Sequence, residues 1–116
     1  MRILIVDDEQ DIRESLEEFF QDEGYEVATA ANGADALARL YQQELPCAVI
    51  LDLLMPVLNG NEVYEKMQSD PRLAKIPVII STSDPSRAPS GVLVMKKPLN
   101  LSRLLGTVRQ QCATDK

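Results

Sequence analysis

The chain has 116 residues, of which 45% are apolar, so it has room for one compact domain and not for two. Its 18 acidic and 12 basic side chains give a net charge of -6, which repels phosphate backbones and argues against direct binding to nucleic acid. The absence of histidine excludes a Ser-His-Asp or Cys-His relay, histidine-ligated zinc and a phosphohistidine role.

The two cysteines, Cys47 and Cys112, lie 65 positions apart within apolar stretches. Their spacing matches no metal-ligand pattern, and we expect two buried free thiols in a reducing cytosol rather than a disulfide. There is no run of about 18 apolar residues, and Met1 leads into a strand-like run instead of a signal peptide. We therefore expect a soluble, cytoplasmic protein without membrane insertion.

Five predicted strands follow one another along the chain. Apolar runs at 3–6, 48–51, 78–80 and 92–95 do not alternate with polar residues, which predicts strands buried on both faces, as in a parallel sheet. A weaker run at 25–29 predicts a further strand nearer an edge.

Segments with helical spacing lie between and after these strands. Their apolar positions are Ile12, Leu16, Phe19 and Phe20, then Ala36, Leu37 and Leu40, then Val63 and Met67, and finally Leu101, Leu104, Leu105, Val108 and Cys112. Gly24 is placed to end the first helix, Asn32 to open the second and Asn100 to cap the last. Alternating strands and helices predict a doubly wound α/β fold with a five-stranded parallel sheet.

Polar side chains follow four of the predicted strands. Asp7 and Asp8 come after the first, Asp52 after the third, Thr82 after the fourth and Lys97 after the fifth. In doubly wound sheets the functional site lies at the carboxyl ends of the strands, so these side chains are expected in one pocket. Crowded carboxylates raise one another's proton affinity unless a cation joins them, and an oxygen-rich cluster suits Mg²⁺.

The motifs ILIVDDE at 3–9 and VILDLLMPVLNG at 49–60, with Thr82 after PVIIS and the pair Lys97-Pro98, resemble the receiver domain of two-component response regulators. The resemblance covers essentially the whole chain, residues 1–116, as one receiver domain. It implies the flavodoxin-like strand order 2-1-3-4-5. Met55-Pro56 and Gly60 are expected to shape the turn that leaves the third strand.

The resemblance implies a Mg²⁺ site at these acids. Asp8 is expected to bind the ion directly and Asp7 largely through a water molecule. The phosphoacceptor Asp52 and the backbone carbonyl of Leu54 are expected to supply further ligands.

The resemblance also implies the phosphoryl chemistry. Asp52 is the expected phosphoacceptor, Thr82 would hydrogen-bond a phosphoryl oxygen, and Lys97 would pair with the phosphoryl group or with Asp52. A loose phosphoryl-transfer transition state needs charge neutralisation more than covalent help, which the ion and Lys97 supply. The expected donor is a histidine kinase or phosphotransfer protein, and output is expected through altered contacts with a downstream protein.

Two features depart from the usual receiver pattern. Only 14 residues separate Thr82 from Lys97, and the stretch 84–91 contains two prolines and a glycine but no long apolar side chain. The fourth helix of a receiver is therefore expected to be missing or reduced to a turn. The usual aromatic residue three positions before the lysine is Val94 here, which puts the hydroxyl–aromatic coupling of the family in doubt.

Two other classes of function compete with a phosphorylated receiver. One is a phosphorylation-independent interaction module on the same fold, which the complete set of acids, hydroxyl and lysine disfavours. The other is an enzyme. An FMN carrier would need a phosphate-binding loop where Asp7 and Asp8 stand, and no nucleotide-binding P-loop occurs. An aspartate phosphatase would place its nucleophile after the first strand with another acid two residues later, whereas Asp52 is followed by Leu53 and Leu54. No catalysis is expected beyond the chain's own phosphoryl uptake and loss.

Overall fold

A five-stranded parallel sheet forms the centre of the structure, which is a computed structural model describing residues 1–42, 44–55 and 58–113. The strand order is β2-β1-β3-β4-β5, as the resemblance to receiver domains implies. The strands are β1 (Arg2–Val6), β2 (Glu26–Ala30), β3 (Ala48–Asp52), β4 (Val78–Thr82) and β5 (Leu93–Lys96), and the helices are α1 (Gln10–Asp22), α2 (Gly33–Gln42), α3 (Gly60–Ser69) and α4 (Leu101–Ala113).

Helices cover both faces of the sheet, and each face has its own apolar core. Alternate residues of β1 show the division, because Leu4 packs with α2 and α3 whereas Ile3 packs with α1 and α4. Every residue of β3 and of β4 is buried. The prediction of strands buried on both faces is thus confirmed for the interior of the sheet. No helix in the described part of the chain is long and apolar enough to cross a membrane.

The two edge strands differ from the interior ones. β2 is an edge strand, as predicted, and only its last residue is buried. The prediction that β5 is buried on both faces is wrong, since Leu93 is 46% exposed and none of the four residues of β5 is buried. The cause is its position at the open edge, beside a connection too short to cover it.

The connection between β4 and β5 confirms the expected reduction of a fourth helix to a turn. It holds only a three-residue 3-10 helix, Pro85–Arg87. The side chain of Asp84 caps this helix by accepting a hydrogen bond from the amide of Ser86. The turn is fastened to the body of the protein, because Asn61 donates a hydrogen bond from Nδ2 to the carbonyl of Arg87 at 3.0 Å. Ala88 packs against the core on the α2 and α3 side.

The predicted helix boundaries agree with the observed caps. Gly24 follows α1 with a φ of +95°, the left-handed conformation that glycine adopts freely. The side chain of Asn32 accepts a hydrogen bond from the amide of Asp35 at the start of α2, and Asn100 accepts one from the amide of Arg103 at the start of α4.

The expectation of free thiols is wrong, because Cys47 and Cys112 form a disulfide. Cys47 directly precedes β3, and Cys112 lies in the last turn of α4. Since α4 runs back along the sheet from the carboxyl to the amino ends of the strands, these distant positions meet, with their Cα atoms 5.1 Å apart. Sequence spacing alone does not show which helix ends beside which strand.

Candidate functional site

Three carboxylates meet at the carboxyl end of the sheet. In the pairing of β1 with β3, Val6 lies opposite Leu51, so the next residues, Asp7 and Asp52, leave the two strands side by side. Asp7 and Asp52 are only 2% and 4% exposed, whereas Asp8 faces solvent. One oxygen from each of the three acids lies within 4.8 Å of the others, as the order of the strands predicts.

Asp7 is held rigidly by the residues around it. Its Oδ1 accepts a hydrogen bond from the amide of Glu9 at 2.9 Å, and its own amide donates to the carbonyl of Ala30 at 3.1 Å. Arg13, on the first turns of α1, donates from Nη1 to the carbonyl of Asp7 at 2.8 Å. Arg13 is not among the site residues predicted from the sequence, where its signal is a basic residue shortly after the acidic pair.

Lys97 enters the same cluster from the far side. Its amide donates to the carbonyl of Thr82 at 2.8 Å, which continues the β4–β5 pairing by one residue and aims the side chain at the acids. Nζ lies 3.0 Å from Asp7 Oδ2 and 3.5 Å from Asp52 Oδ1. Burial disfavours the ammonium, but the hydrogen bond to Asp7 and the charge of Asp52 outweigh it and raise the pKa of Lys97.

The environment of Asp52 disfavours its ionised form. Burial is the largest cause, the neighbouring charge of Asp7 comes next, and the attraction of Lys97 offsets them only in part. Together they raise the pKa of Asp52 from its ordinary 3.8 to about 6. Lys97 therefore balances the negative charge of ionised Asp52 only in part, which favours the binding of a further cation at this carboxylate.

Thr82 lies at the same end of the sheet, at the end of β4. It is fully buried, and its Oγ1 accepts a hydrogen bond from the amide of Asp84 at 3.0 Å. Its expected contact with a phosphoryl oxygen therefore stays a prediction. The neighbouring Ser81, which pairs with Asp52 in the sheet, has a buried hydroxyl without a hydrogen-bond partner among the described residues.

The turn after β3 is shaped around Asp52. The amide of Leu54 donates to Asp52 Oδ1 at 3.4 Å, while the expected metal contact of its carbonyl stays a prediction. Gly60 packs directly on this turn, since a Cβ there would lie 2.4 Å from the carbonyl oxygen of Asp52 and 2.7 Å from Leu53 Cα. Glycine is thus required at position 60. Pro56, which is also predicted to shape this turn, lies outside the described residues.

The donor set of this cluster fits Mg²⁺. Asp7, Asp8 and Asp52 all offer hard carboxylate oxygens, two of them from nearly buried residues, and Mg²⁺ binds such ligands while keeping several water molecules. The exposed position of Asp8 leaves one side of the cluster open to solvent.

Comparison with protein families and with curated sequences gives one consistent result. The family model described as "Response regulator receiver domain" matches residues 3–109. The probable transcriptional regulator ycf27 of Guillardia theta is 43% identical over 82 residues, which are 71% of this chain and 31% of that protein. The response regulator Rre1 of Synechocystis is 39% identical over 82 residues, 70% of this chain and 35% of that protein. The chain thus spans about a third of the length of these two relatives.

Solved structures show the same likeness. The signal receiver domain of a signal transduction histidine kinase from Syntrophus aciditrophicus has a TM-score of 0.88 at 28% identity, covering 99% of this chain and 92% of that one. The response regulator TrrA of Thermotoga maritima, solved in complex with Mg²⁺-BeF, has a TM-score of 0.84 at 33% identity, covering 95% of this chain and 97% of that one.

Proposed function

Because the chain belongs to the response regulator receiver domain family, we propose that it is a phosphorylation-switched receiver with Asp52 as the phosphoacceptor. The observation that carries this proposal is the placement of Asp52. It is a nearly buried carboxylate at the end of the central strand β3, beside two further acids and 3.5 Å from the ammonium of Lys97.

In the proposed reaction a carboxylate oxygen of Asp52 attacks the phosphorus of the donor. A bond forms between that oxygen and phosphorus, the bond from phosphorus to the leaving atom of the donor breaks, and the result is an acyl phosphate. Lys97 is placed to neutralise the phosphoryl oxygens because its Nζ already lies against Asp52.

Mg²⁺ would be held by Asp7, Asp8 and Asp52, with the carbonyl of Leu54 as a further ligand. When bound, the ion lowers the repulsion between these acids and the incoming phosphoryl anion. The cation also relieves the unfavourable burial of charge that raises the pKa of Asp52.

The hydrogen bond of Thr82 suggests how modification would reach the surface. Thr82 Oγ1 accepts a hydrogen bond from the amide of Asp84, the residue that caps the 3-10 turn at Pro85–Arg87, and the hydroxyl can donate its own proton to a phosphoryl oxygen at the same time. A shift of Thr82 towards that oxygen would therefore draw Asp84 with it. The root of this turn would then move, and a downstream protein would sense the altered segment. Val94 is half-buried against the core. It has no aromatic ring whose movement could be coupled to that of the Thr82 hydroxyl.

An apolar groove beside Lys97 supports docking of a protein donor. A cavity of about 530 Å³ opens between the start of α1 and the start of α4, with Ile12, Pro98, Leu99 and Leu101 among its lining residues. We propose that a histidine kinase or phosphotransfer protein in the cytoplasm binds to this groove while its phosphohistidine reaches Asp52.

We propose no direct role in binding nucleic acid and no catalysis beyond phosphoryl uptake and loss.

The metal part of this proposal is tested by thermal unfolding of the whole chain. Millimolar Mg²⁺ should raise the melting temperature by about 5 °C, because the folded cluster binds the ion and the unfolded chain does not. Asp8→Ala should abolish most of this rise. The matched control is Asp11→Ala, an exposed acid in the first turn of α1 that is outside the cluster and should leave the rise unchanged. Equal rises in the two variants would contradict the proposed site.

A further inference from the structure

The disulfide joins the two elements that carry the candidate site, at the ends that lie farthest from it. Cys47 directly precedes β3, which ends at Asp52, and Cys112 lies in the last turn of α4, the helix that follows Lys97. At one end β3 meets Lys97 through an ion pair, and at the other it is bonded covalently to α4. The two ends are about 16 Å apart, the length of a five-residue strand.

The C-terminal half of α4 packs against the sheet. Its buried residues Val108 and Cys112 both belong to the apolar core on the α1 and α4 side. Arg109 forms an ion pair with Glu23 at 2.9 Å, but this pair is largely exposed and contributes little. The disulfide adds a covalent link between the last turn of α4 and the residue that precedes β3.

We propose that Cys47 and Cys112 form a thiol–disulfide exchange site, whose oxidation state determines how firmly the last turn of α4 is held against the start of β3. The expected reaction partner is a small thiol or a dithiol of the cell's redox buffer. This site is separate from Asp52, so the proposal does not depend on the proposed phosphoryl chemistry.

The exchange proceeds in two steps. A thiolate of the partner attacks one sulfur of the pair, the Cys47–Cys112 bond breaks as a mixed disulfide forms, and the released cysteine takes a proton from water. A second partner thiolate then displaces the other cysteine. Two electrons pass from the partner to the cysteine pair, and the partner leaves as its own disulfide. Oxidation follows the same steps in reverse.

Burial explains why such a site would act on the helix. Cys47 and Cys112 are 8% and 1% exposed, so a partner reaches the sulfurs only when the last turn of α4 opens. Once reduced, two small apolar side chains remain in the core, and the fold persists without its covalent tie. Disulfides of cytoplasmic proteins are typically transient and redox-sensing, which favours a regulatory role for this bond over a purely structural one.

The test uses the whole chain in glutathione buffers that range from oxidised to reduced, held until the state of the cysteines no longer changes. Free thiols are trapped by alkylation and counted by intact mass, and amide hydrogen exchange is measured in the same samples. We expect both cysteines to pass from protected to alkylated across the series. We expect amides near Cys112 to exchange at least about tenfold faster in the reduced protein.

The control is the double variant Cys47→Ala and Cys112→Ala, in which exchange in α4 should match the reduced protein and ignore glutathione. If this variant fails to fold, reduced wild type still supplies the comparison. Three results would overturn the proposal: two free thiols at every glutathione ratio, a bond that never opens in reduced glutathione, or unchanged exchange near Cys112 after reduction. Loss of phosphoryl uptake would leave all three measurements intact.

Discussion

The two ends of the β3–α4 pair affect the stability of the fold in opposite ways. At the amino end of β3 a covalent bond lies within an apolar core, and both the bond and the core favour the folded state. At the carboxyl end Asp7 and Asp52 are nearly buried as neighbouring acids, and the pKa of Asp52 is raised to about 6 because its charge is unfavourable there. The comparison indicates that the cluster of acids lowers the stability of the fold, while the disulfide at the opposite end of the same elements raises it.

The largest effect is expected from breaking the stabilising end. Removal of the disulfide by Cys47→Ala together with Cys112→Ala frees a loop of 65 residues in the unfolded chain, which should lower the free energy of unfolding by about 4 kcal/mol. Urea denaturation of the variant and of oxidised wild type measures this difference. A loss below about 1 kcal/mol would mean that this end contributes little beyond its packing.

A second large effect is expected at the turn that supports Asp52. Gly60→Ala would place a Cβ 2.4 Å from the carbonyl oxygen of Asp52, and because the obstacle is backbone, the turn has to shift. The free energy of unfolding should fall by about 3 kcal/mol. The matched control is Gly106→Ala in α4, where a Cβ meets nothing within 4 Å and should stabilise the helix by about 0.5 to 1 kcal/mol. Similar losses in both variants would contradict the close packing at Gly60.

Removing the charge of Asp52 should stabilise the protein, in contrast to the changes above. The folded pKa of about 6 exceeds the ordinary 3.8, so the folded state retains a proton that the unfolded state has released between these values, and stability falls as the pH rises through them. Asp52→Asn is neutral throughout. In Mg²⁺-free buffer it should therefore gain about 2 kcal/mol above about pH 7 and nothing below about pH 3.5.

The pH series of urea unfolding curves for wild type and for Asp52→Asn measures this gain. Added Mg²⁺ should shrink the gain above about pH 7, because the ion stabilises the ionised wild type and the variant has lost one ligand. A gain that is constant over the whole pH range would show that its origin is not the ionisation of Asp52.

A smaller effect is expected from Lys97→Met, which keeps the apolar stem of the side chain and removes its charge. Asp52 then binds a proton more readily, which limits the loss of stability in Mg²⁺-free buffer to about 1 kcal/mol. The rise in melting temperature with Mg²⁺ should be retained or increased, since Nζ no longer pairs with Asp7 and Asp52. Abolition of that rise would place Lys97 among the residues that the metal site requires.

The convergence of the acids and Lys97 could be predicted because it depends on simple rules. Unbroken apolar runs indicate interior strands, parallel strands bring their carboxyl ends to one edge, and the residues after Val6, Leu51 and Lys96 then meet. The short stretch at 84–91 likewise predicted a turn in place of a helix. Its two prolines disfavour a helix, and it has no apolar face that a helix could bury against the sheet.

The remaining features depend on three-dimensional placement. The disulfide requires that α4 cover the same face as α1 and end beside the start of β3, which no local pattern specifies. The exposure of β5 follows from its place at the edge, since its apolar run resembles that of an interior strand. The direction of the Thr82 side chain depends on its rotamer, and the sequence does not show that its Oγ1 accepts a hydrogen bond from the amide of Asp84.

Intact-mass measurement after incubation with a small phosphodonor shows directly whether Asp52 accepts a phosphoryl group with the help of Mg²⁺. We expect one added phosphoryl group in the presence of Mg²⁺, little without it, and none in Asp52→Asn, whose fold should be at least as stable as the wild type. Labelling of Asp52→Asn to the same extent as the wild type, or no labelling of the wild type with Mg²⁺ present, would contradict this expectation.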